Sequence, residues 1–400
     1  MLADLGDPQD TLRVVHVAGT AGKGSVCTFL TAVLEAHGHL VGRYLSPHTH
    51  TVLERFALRG RIVDAARLSR YLADVRRIER ERRGGPDGPA SMFEVLTATA
   101  YELFAREGVD YAVIETGLGG LHDATNVVGR ADKLAVLTSI GLDHIEVLGE
   151  SLEAIAAQKA GILPLGGVAV AVSSGREADT VVRAEAVRRR CRLDQYEPAE
   201  LEGASGALRL GLPGRHQQVN AGLALKAAAE LARRDGWKFD PEVAARGLAA
   251  AQLPGRFERR RYAGHPVILD GVHNPMKLTA LIDAVEQEFP GSASIWVIGV
   301  KPDKDLDEIL RLVRPAASLV IATEFGDEAG AKAVSAEYVA ATAARLGLPA
   351  VEAWRDPSAA LTRAVSLAGD DVPVVVTGSF HTVAAVGRRL AVQPIADRAG

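Results

Sequence analysis

The feature that most constrains this chain is a glycine-rich turn, Gly19-Thr20-Ala21-Gly22-Lys23-Gly24-Ser25, set between two opposite periodicities. Residues 13–18 (RVVHVA) are short, apolar and β-branched, whereas from Val26 to His37 apolar positions recur at helical spacing. Strand, glycine loop and helix therefore follow one another directly. The glycines let backbone N–H groups turn inward around phosphate oxygens, and the helix N-terminus adds a favourable dipole. Lys23 can reach β- and γ-phosphates, and the Ser25 hydroxyl can approach Mg²⁺. The spacing departs from the common G-x-x-x-x-G-K-[ST] form, because the first glycine is closer and Gly24 separates lysine from serine. A mere connecting turn is the competing reading. The lysine in its strand–helix context favours a phosphate site.

The same alternation repeats along the chain. YAVIE (111–115) reads as a strand ending in GLGG, and LAVLTSI (134–140) as one ending in GLDH. Strands apolar on both faces belong to a parallel sheet covered by helices. A helical stretch is predicted over 92–107, after a polar Gly/Pro-rich surface loop at 80–90, and another over 219–235. A second series of strands follows: VILD (267–270), SIWVIGV (294–300), SLVIATE (318–324) and VPVVVTG (372–378). The segment 252–260 (QLPGRFERR) between the series is charged and non-periodic, and Pro254-Gly255 is a turn dipeptide. Four hundred residues exceed one ordinary core, so two α/β domains, 1–254 and 255–400, are expected.

Composition narrows the function classes. At 48% hydrophobic and 24% charged residues the chain is no disordered tail, and a net charge of −4 offers no general field for nucleic acid or an acidic membrane. No apolar run reaches the length of a membrane span, and the acidic start MLADLGDPQD is unlike a signal peptide. With two cysteines, Cys27 and Cys191, a reducing cytoplasmic setting is expected. Lysines number nine against thirty-seven arginines, so a lysine inside a motif carries information.

Further candidates lie at strand ends, where open parallel sheets line their ligand crevice. Glu115 ends one predicted strand, and Asp143-His144 follows another. A few oxygen ligands with retained water suit Mg²⁺; for Glu115 it is equally open that the carboxylate only orients a ligand or caps a helix, and histidine is an unusual magnesium ligand. Lys159, before Gly161 at a predicted helix end, reads from the residues alone as a solvated lysine favourable to the macrodipole. Asp270-Gly271-Val272-His273-Asn274-Pro275 reads as a binding loop, or else as a turn satisfying its own backbone. His216, Gln217, Asn220, Arg256 and Asp303-Lys304-Asp305 read individually as surface or capping residues.

Taken in order, the motifs resemble the folylpolyglutamate synthase/dihydrofolate synthase family of the Mur-ligase superfamily. They are HVAGTAGKGS (16–25), LSPH (45–48), MFEVLTA (92–98), ETGLGGLHDATN (115–126), LDHIEVLG (142–149) and IAAQKAGI (155–162). GRHQQVNA (214–221), LPGRFE (253–258), LDGVHNP (269–275), IGVKPDKD (298–305) and VTGS (376–379) continue the series over nearly the whole chain. The resemblance implies a P-loop, Mur-ligase-like ATP-binding domain with a parallel-rich sheet, a smaller Rossmann-like C-terminal domain, and an active site between them. It implies that Gly22, Lys23, Gly24 and Ser25 bind ATP phosphates, and that Ser46, Glu115 and His144 are magnesium ligands. It makes Lys159 the counterpart of a lysine carbamylated in many superfamily members. Asn220, Arg256 and Asp270 correspond to ATP contacts, and His273 to a residue beside the incoming amino acid.

The activity so implied is Mg²⁺-ATP-dependent addition of L-glutamate to a folate- or dihydropteroate-like carboxylate through an acyl phosphate. K⁺ is a further cation to consider, no redox cofactor is needed, and a monomer is expected. A pathway-specific amide ligase with another acceptor is the principal alternative; a kinase and a non-catalytic nucleotide binder are more distant ones. The chain departs from the family pattern at Ala21, usually asparagine, at Leu53-Glu54-Arg55-Phe56 for N-E-R-I, and at Leu121 for arginine. Only fifteen residues precede His16, a shorter lead than the family usually carries. Arg43, Arg55 and Arg59 are nearby candidates to replace the missing guanidinium.

Overall fold

In the computed structural model, residues 1–82, 88–206, 208–326, 332–387 and 390 are described. Contacts divide the chain into two units: Met1–His48, Val52–Gly211 and Gln217–Ala251 form one, and Thr49–Thr51, Leu212–His216 and Gln252 onward the other. The predicted loop at 80–90 overlaps residues 83–87, which lie outside the described residues; residues 80–82 belong instead to the helix Ala65–Arg82.

In the first unit the apolar run after Arg13 becomes β1 (Val14–Ala18), every residue of it buried. The other strands are β2 (Val41–Tyr44), β3 (Phe56–Leu58), β4 (Arg61–Ile62), β5 (Tyr111–Glu115), β6 (Leu134–Leu137), β7 (Val168–Val172) and β8 (Arg192–Tyr196). They form one sheet in the order β4-β3-β2-β5-β1-β6-β7-β8. It is parallel except where β3 and β4 turn back antiparallel at one edge. The five strands β2, β5, β1, β6 and β7 bury both faces, as expected of a parallel sheet between helices. Register decides what surrounds the glycine turn. Val17 lies opposite Glu115 of β5, and Ala18 opposite Leu137 of β6. The turn after β1 is therefore flanked by the residues that follow those two neighbours.

The helix Met92–Arg106 covers this sheet with Leu96, Ala100, Leu103 and Phe104. Its start is set by Ser91, which accepts the Glu94 N–H while Glu94 accepts the Ser91 N–H, a reciprocal capping box. Ser91→Ala is expected to cost about 1 kcal/mol, lowering the melting temperature by about 2–4 °C; thermal unfolding followed by circular dichroism measures it.

The second unit holds β9 (Glu258–Tyr262), β10 (His265–Leu269), β11 (Ser294–Ile298), β12 (Ala317–Thr323), β13 (Val351–Trp354) and β14 (Val374–Thr377). Their order is β13-β12-β11-β14-β10-β9, and only β9 runs antiparallel. Trp296 is fully buried at the middle of β11, and its indole N–H donates to Ser294 Oγ at 2.8 Å. In the charged 252–260 segment, Pro254-Gly255 forms a turn and residues 252–257 stay outside the strands, as read, whereas residues 258–260 do not. Glu258, Arg259 and Arg260 begin β9, an edge strand whose long side chains reach solvent while the backbone pairs with β10.

Candidate active site

Two glycines give the turn after β1 its shape. Gly19 packs so closely on β6's extension that a Cβ would stand 1.8 Å from Thr138 Oγ1. Gly22, at φ 87°, precedes the helix Lys23–Ala36, and a Cβ there would stand 2.3 Å from Asn220 Oδ1. Side chains and backbone from the end of β6 hold the turn. Thr138 Oγ1 donates to the Ala21 carbonyl at 2.7 Å, the Thr20 N–H donates to Ser139 O at 2.8 Å, and Thr20 Oγ1 donates to Gly141 O at 2.9 Å. Ala21 is thus held through its main chain, so the absence of an asparagine side chain leaves the loop's anchoring intact. Gly24 lies in the first turn of the helix, and Ser25 is buried beside it.

Two lysines converge on one carbonyl. Lys23 Nζ and Lys159 Nζ each donate to Gly19 O at 3.0 Å. Lys159 is only 3% exposed, which overturns its reading as a solvated lysine. Burial, and next the positive charge of Lys23, push its ammonium down to about 8, against an opposing pull from Asp143. The reason lies in the local fold: the helix Leu152–Ala160 returns under the loop after β5, where Leu121 N–H donates to Gln158 O.

Glu115 ends β5 and is 5% exposed. Its Oε2 accepts the Ser46 N–H at 3.0 Å, so the structure brings these two candidates together. His144 is placed apart from them in character. It sits at φ 49° on a loop, about half exposed, with Asp143 at 3.8 Å and Glu146 at 3.7 Å. Among the described residues no group of three His, Cys, Asp or Glu side chains is arranged to hold a metal. A buried carboxylate with a neighbouring serine nevertheless offers the hard oxygen donors that suit Mg²⁺, which keeps water and substrate oxygens in its remaining positions.

Gln217 is the residue that sequence reasoning undervalued. Expected on the surface, it is buried and donates from Nε2 to Ser25 Oγ at 3.2 Å. Its Oε1 accepts from Asn220 Nδ2 at 2.9 Å. The available sign was its position one turn before Asn220 on the same helical face. Of the three arginines proposed to compensate for Leu121, Arg55 alone joins the LSPH segment, donating from Nε to His48 Nδ1 at 3.0 Å. Arg43 donates to Thr28 Oγ1, and Arg59 occupies the exposed β3–β4 turn at φ 51°. Leu121 itself lies against Gly161, 39% exposed.

In the second unit, Arg256 stacks over the Phe380 ring at 4.3 Å. Asp270 accepts the Phe257 N–H on Oδ2 at 2.8 Å and the Val272 N–H on Oδ1 at 3.0 Å. Burial raises its carboxyl above the ordinary range, against the pull of Arg256. His273 Nδ1 donates to Gly271 O at 3.0 Å and meets Phe380 edge-on at 6.4 Å; burial pushes its imidazole below the usual value. Asn274 caps the helix Pro275–Glu288, and Asp305 caps Leu306–Val313. His216 lies at the surface, as read from the sequence, and its imidazole is held below the usual value by partial loss of solvent around the ring and then by Arg256.

Two family models match the chain: the Mur ligase middle domain over residues 90–193 and the Mur ligase glutamate ligase domain over residues 255–380. The dihydrofolate synthase/folylpolyglutamate synthase of Mycobacterium tuberculosis is 34% identical over 95% of this chain and 86% of its own length. That of Bacillus subtilis is 31% identical over 98% and 93% respectively. Among solved structures, Mycobacterium tuberculosis folylpolyglutamate synthase complexed with ADP and AMPPCP matches at a TM-score of 0.84 and 31% identity, covering 98% of this chain and 94% of that one. No helix among the described residues is long and apolar enough to cross a membrane.

Proposed function

The chain belongs to the folylpolyglutamate synthase/dihydrofolate synthase family of Mur ligases, and we propose how its residues divide the work of ATP-dependent glutamate ligation. One observation carries the assignment: Lys23 and Lys159 meet at the Gly19 carbonyl, with the buried carboxylate of Glu115 in register on the adjoining strand. We assign residues 1–254 to ATP binding and 255–400 to the glutamate-ligase domain, a division supported by the match of the latter model from residue 255.

In the proposed reaction the acceptor carboxylate attacks the γ-phosphorus of ATP, the bond to the β-bridging oxygen breaks, and ADP leaves. The amine of glutamate then attacks the acyl carbon, loses a proton and expels phosphate. Backbone N–H groups from Gly22 to Ser25 bind the phosphates, and Lys23 supplies positive charge where phosphoryl oxygens gain negative charge. Gln217 and Asn220 hold Ser25 and the Gly22 turn in place for this. Glu115 and Ser46 would hold Mg²⁺, with His144 joining from its loop. When bound, that ion neutralises the transferring phosphoryl group. In the C-terminal domain Arg256 and Asp270 are assigned to ATP, and His273 to the incoming amino acid. Lys159 is assigned to carbamylation, for which a buried amine depressed to about 8 is suited.

The acceptor is a pterin-type carboxylate. Leu121 and Leu53 lack the polar groups the family pattern carries there, and losing one charged hydrogen bond costs about 1.5–3 kcal/mol. Apparent affinity for simple folates is therefore expected to be about one to two orders of magnitude weaker than with that arginine present. Phosphate release with dihydropteroate, tetrahydrofolate or no acceptor, each with glutamate and Mg²⁺-ATP, tests this. Stimulation by a pterin supports the assignment. Stimulation by another carboxylic acid and by neither pterin replaces it with a ligase of different acceptor.

A further inference from the structure

His16 is a buried imidazole at the centre of β1 that the proposed reaction does not use, 1% exposed. Its hydrogen bonds fix its protonation. Thr125 Oγ1 spends its proton on Asp123 Oδ1, so toward His16 Nε2, 2.8 Å away, it can only accept. Nε2 therefore carries hydrogen, and Thr116 Oγ1 lies 3.0 Å from the same atom. Nδ1 is buried and has no hydrogen-bond partner among the described residues. An imidazolium would strand a second N–H there, so the ring is neutral, in keeping with its depression by burial and by Lys133.

A hydrocarbon side chain would fill this space without stranding a polar nitrogen. The compensation lies in what Nε2–H holds. Thr116 directly follows Glu115, and its N–H donates to Val17 O. Thr125 and Asp123 form the other end of the GLGG loop, where Asp123 Oδ2 accepts the Leu118 N–H at 2.7 Å and Oδ1 the Thr125 N–H at 3.0 Å. A single N–H inside the sheet thus ties the start of the loop to its end.

We propose that His16 is a positioning residue whose Nε2–H pins the Thr116–Thr125 loop and thereby aims the Glu115 carboxylate. The inference rests on the assignment of Glu115 to the nucleotide–metal end of the site. His16→Leu removes the donor and His16→Gln retains one on a flexible side chain, while Thr125→Val cuts the relay with little change in volume. Amide exchange at Leu118, measured without nucleotide or metal, is expected to quicken about tenfold in His16→Leu and Thr125→Val, and largely to recover in His16→Gln. Calorimetry should find AMPPCP binding weakened in the same two variants with Mg²⁺ and unchanged without it. Wild-type exchange at Leu118 in a folded His16→Leu protein overturns the proposal, and if that variant does not fold, wild-type exchange in Thr125→Val does so. Because the exchange needs no metal, it judges the pin even if Glu115→Ala shows that Glu115 is no metal ligand.

Discussion

Turnover of a Lys23→Ala variant is expected to fall by about three orders of magnitude, while the protein stays folded. The loop's shape does not depend on this side chain: Thr20 and Ala21 are tied to the end of β6 by their own hydrogen bonds, and Gln217 and Asn220 hold the far side. What alanine removes is the ammonium at the start of the helix Lys23–Ala36, the group assigned above to the transferring phosphoryl oxygens. Glu115→Ala should have a comparable effect on turnover and a distinct signature. It deletes a buried carboxylate and leaves the Ser46 N–H without that acceptor, so a higher Mg²⁺ requirement should accompany the loss. ADP release at graded Mg²⁺, with circular dichroism as the folding control, separates the two variants. A folded Glu115→Ala protein keeping most of its activity at low Mg²⁺ would remove Glu115 from the metal site.

Features set by neighbouring residues are legible in the sequence, and those set by distant partners are not. YAVIE and the RVVHVA run became strands because continuous β-branched apolar residues can be buried on both faces of a parallel sheet. VAVAV at 168–172 carries the same sign and forms β7. The short β3 and β4 and the arginine-rich β9 could not be read that way. β3 is buried but only three residues long, β4 is two exposed residues and β9 is an edge strand without a buried face, so each is decided by the partner it pairs with. The glycine turn announced its chemistry, since only glycine tolerates the approaches at Gly19 and Gly22. The surroundings of Lys159 were hidden for the opposite reason. A lysine before a helix C-terminus looks solvated until another segment covers it, and the cover comes from residues 119–121 and Gly19, distant in sequence. Gln217 and His16 were silent likewise, because a polar residue's burial depends on partners some hundred or more positions away.

Lys159→Ala is expected to lose about two or more orders of magnitude in turnover and to regain part of it with added formate or acetate. The argument begins with charge. Two ammonium groups on one carbonyl oxygen repel each other, and burial strengthens that repulsion by lowering the local dielectric. Both effects disfavour the charged form of Lys159, whose value of about 8 leaves roughly one amine in ten neutral at pH 7, against about one in three thousand at an ordinary lysine. Only the neutral amine attacks CO₂; an N–C bond forms, Nζ releases a proton to solvent, and the product is an anionic carbamate. Repulsion toward Lys23 then becomes attraction, and a carboxylate-like group stands beside the phosphate loop. The sign of the pH effect follows: raising pH through about 8 deprotonates the amine and favours the carbamate, and lowering it favours free lysine. Wild-type activity should accordingly rise with bicarbonate and fall reversibly when CO₂ is stripped below pH 7, with native mass spectrometry reading the added CO₂. A Lys159→Ala variant with full activity, indifferent to formate and bicarbonate, would leave Lys159 as a buried lysine that only braces the Gly19 turn.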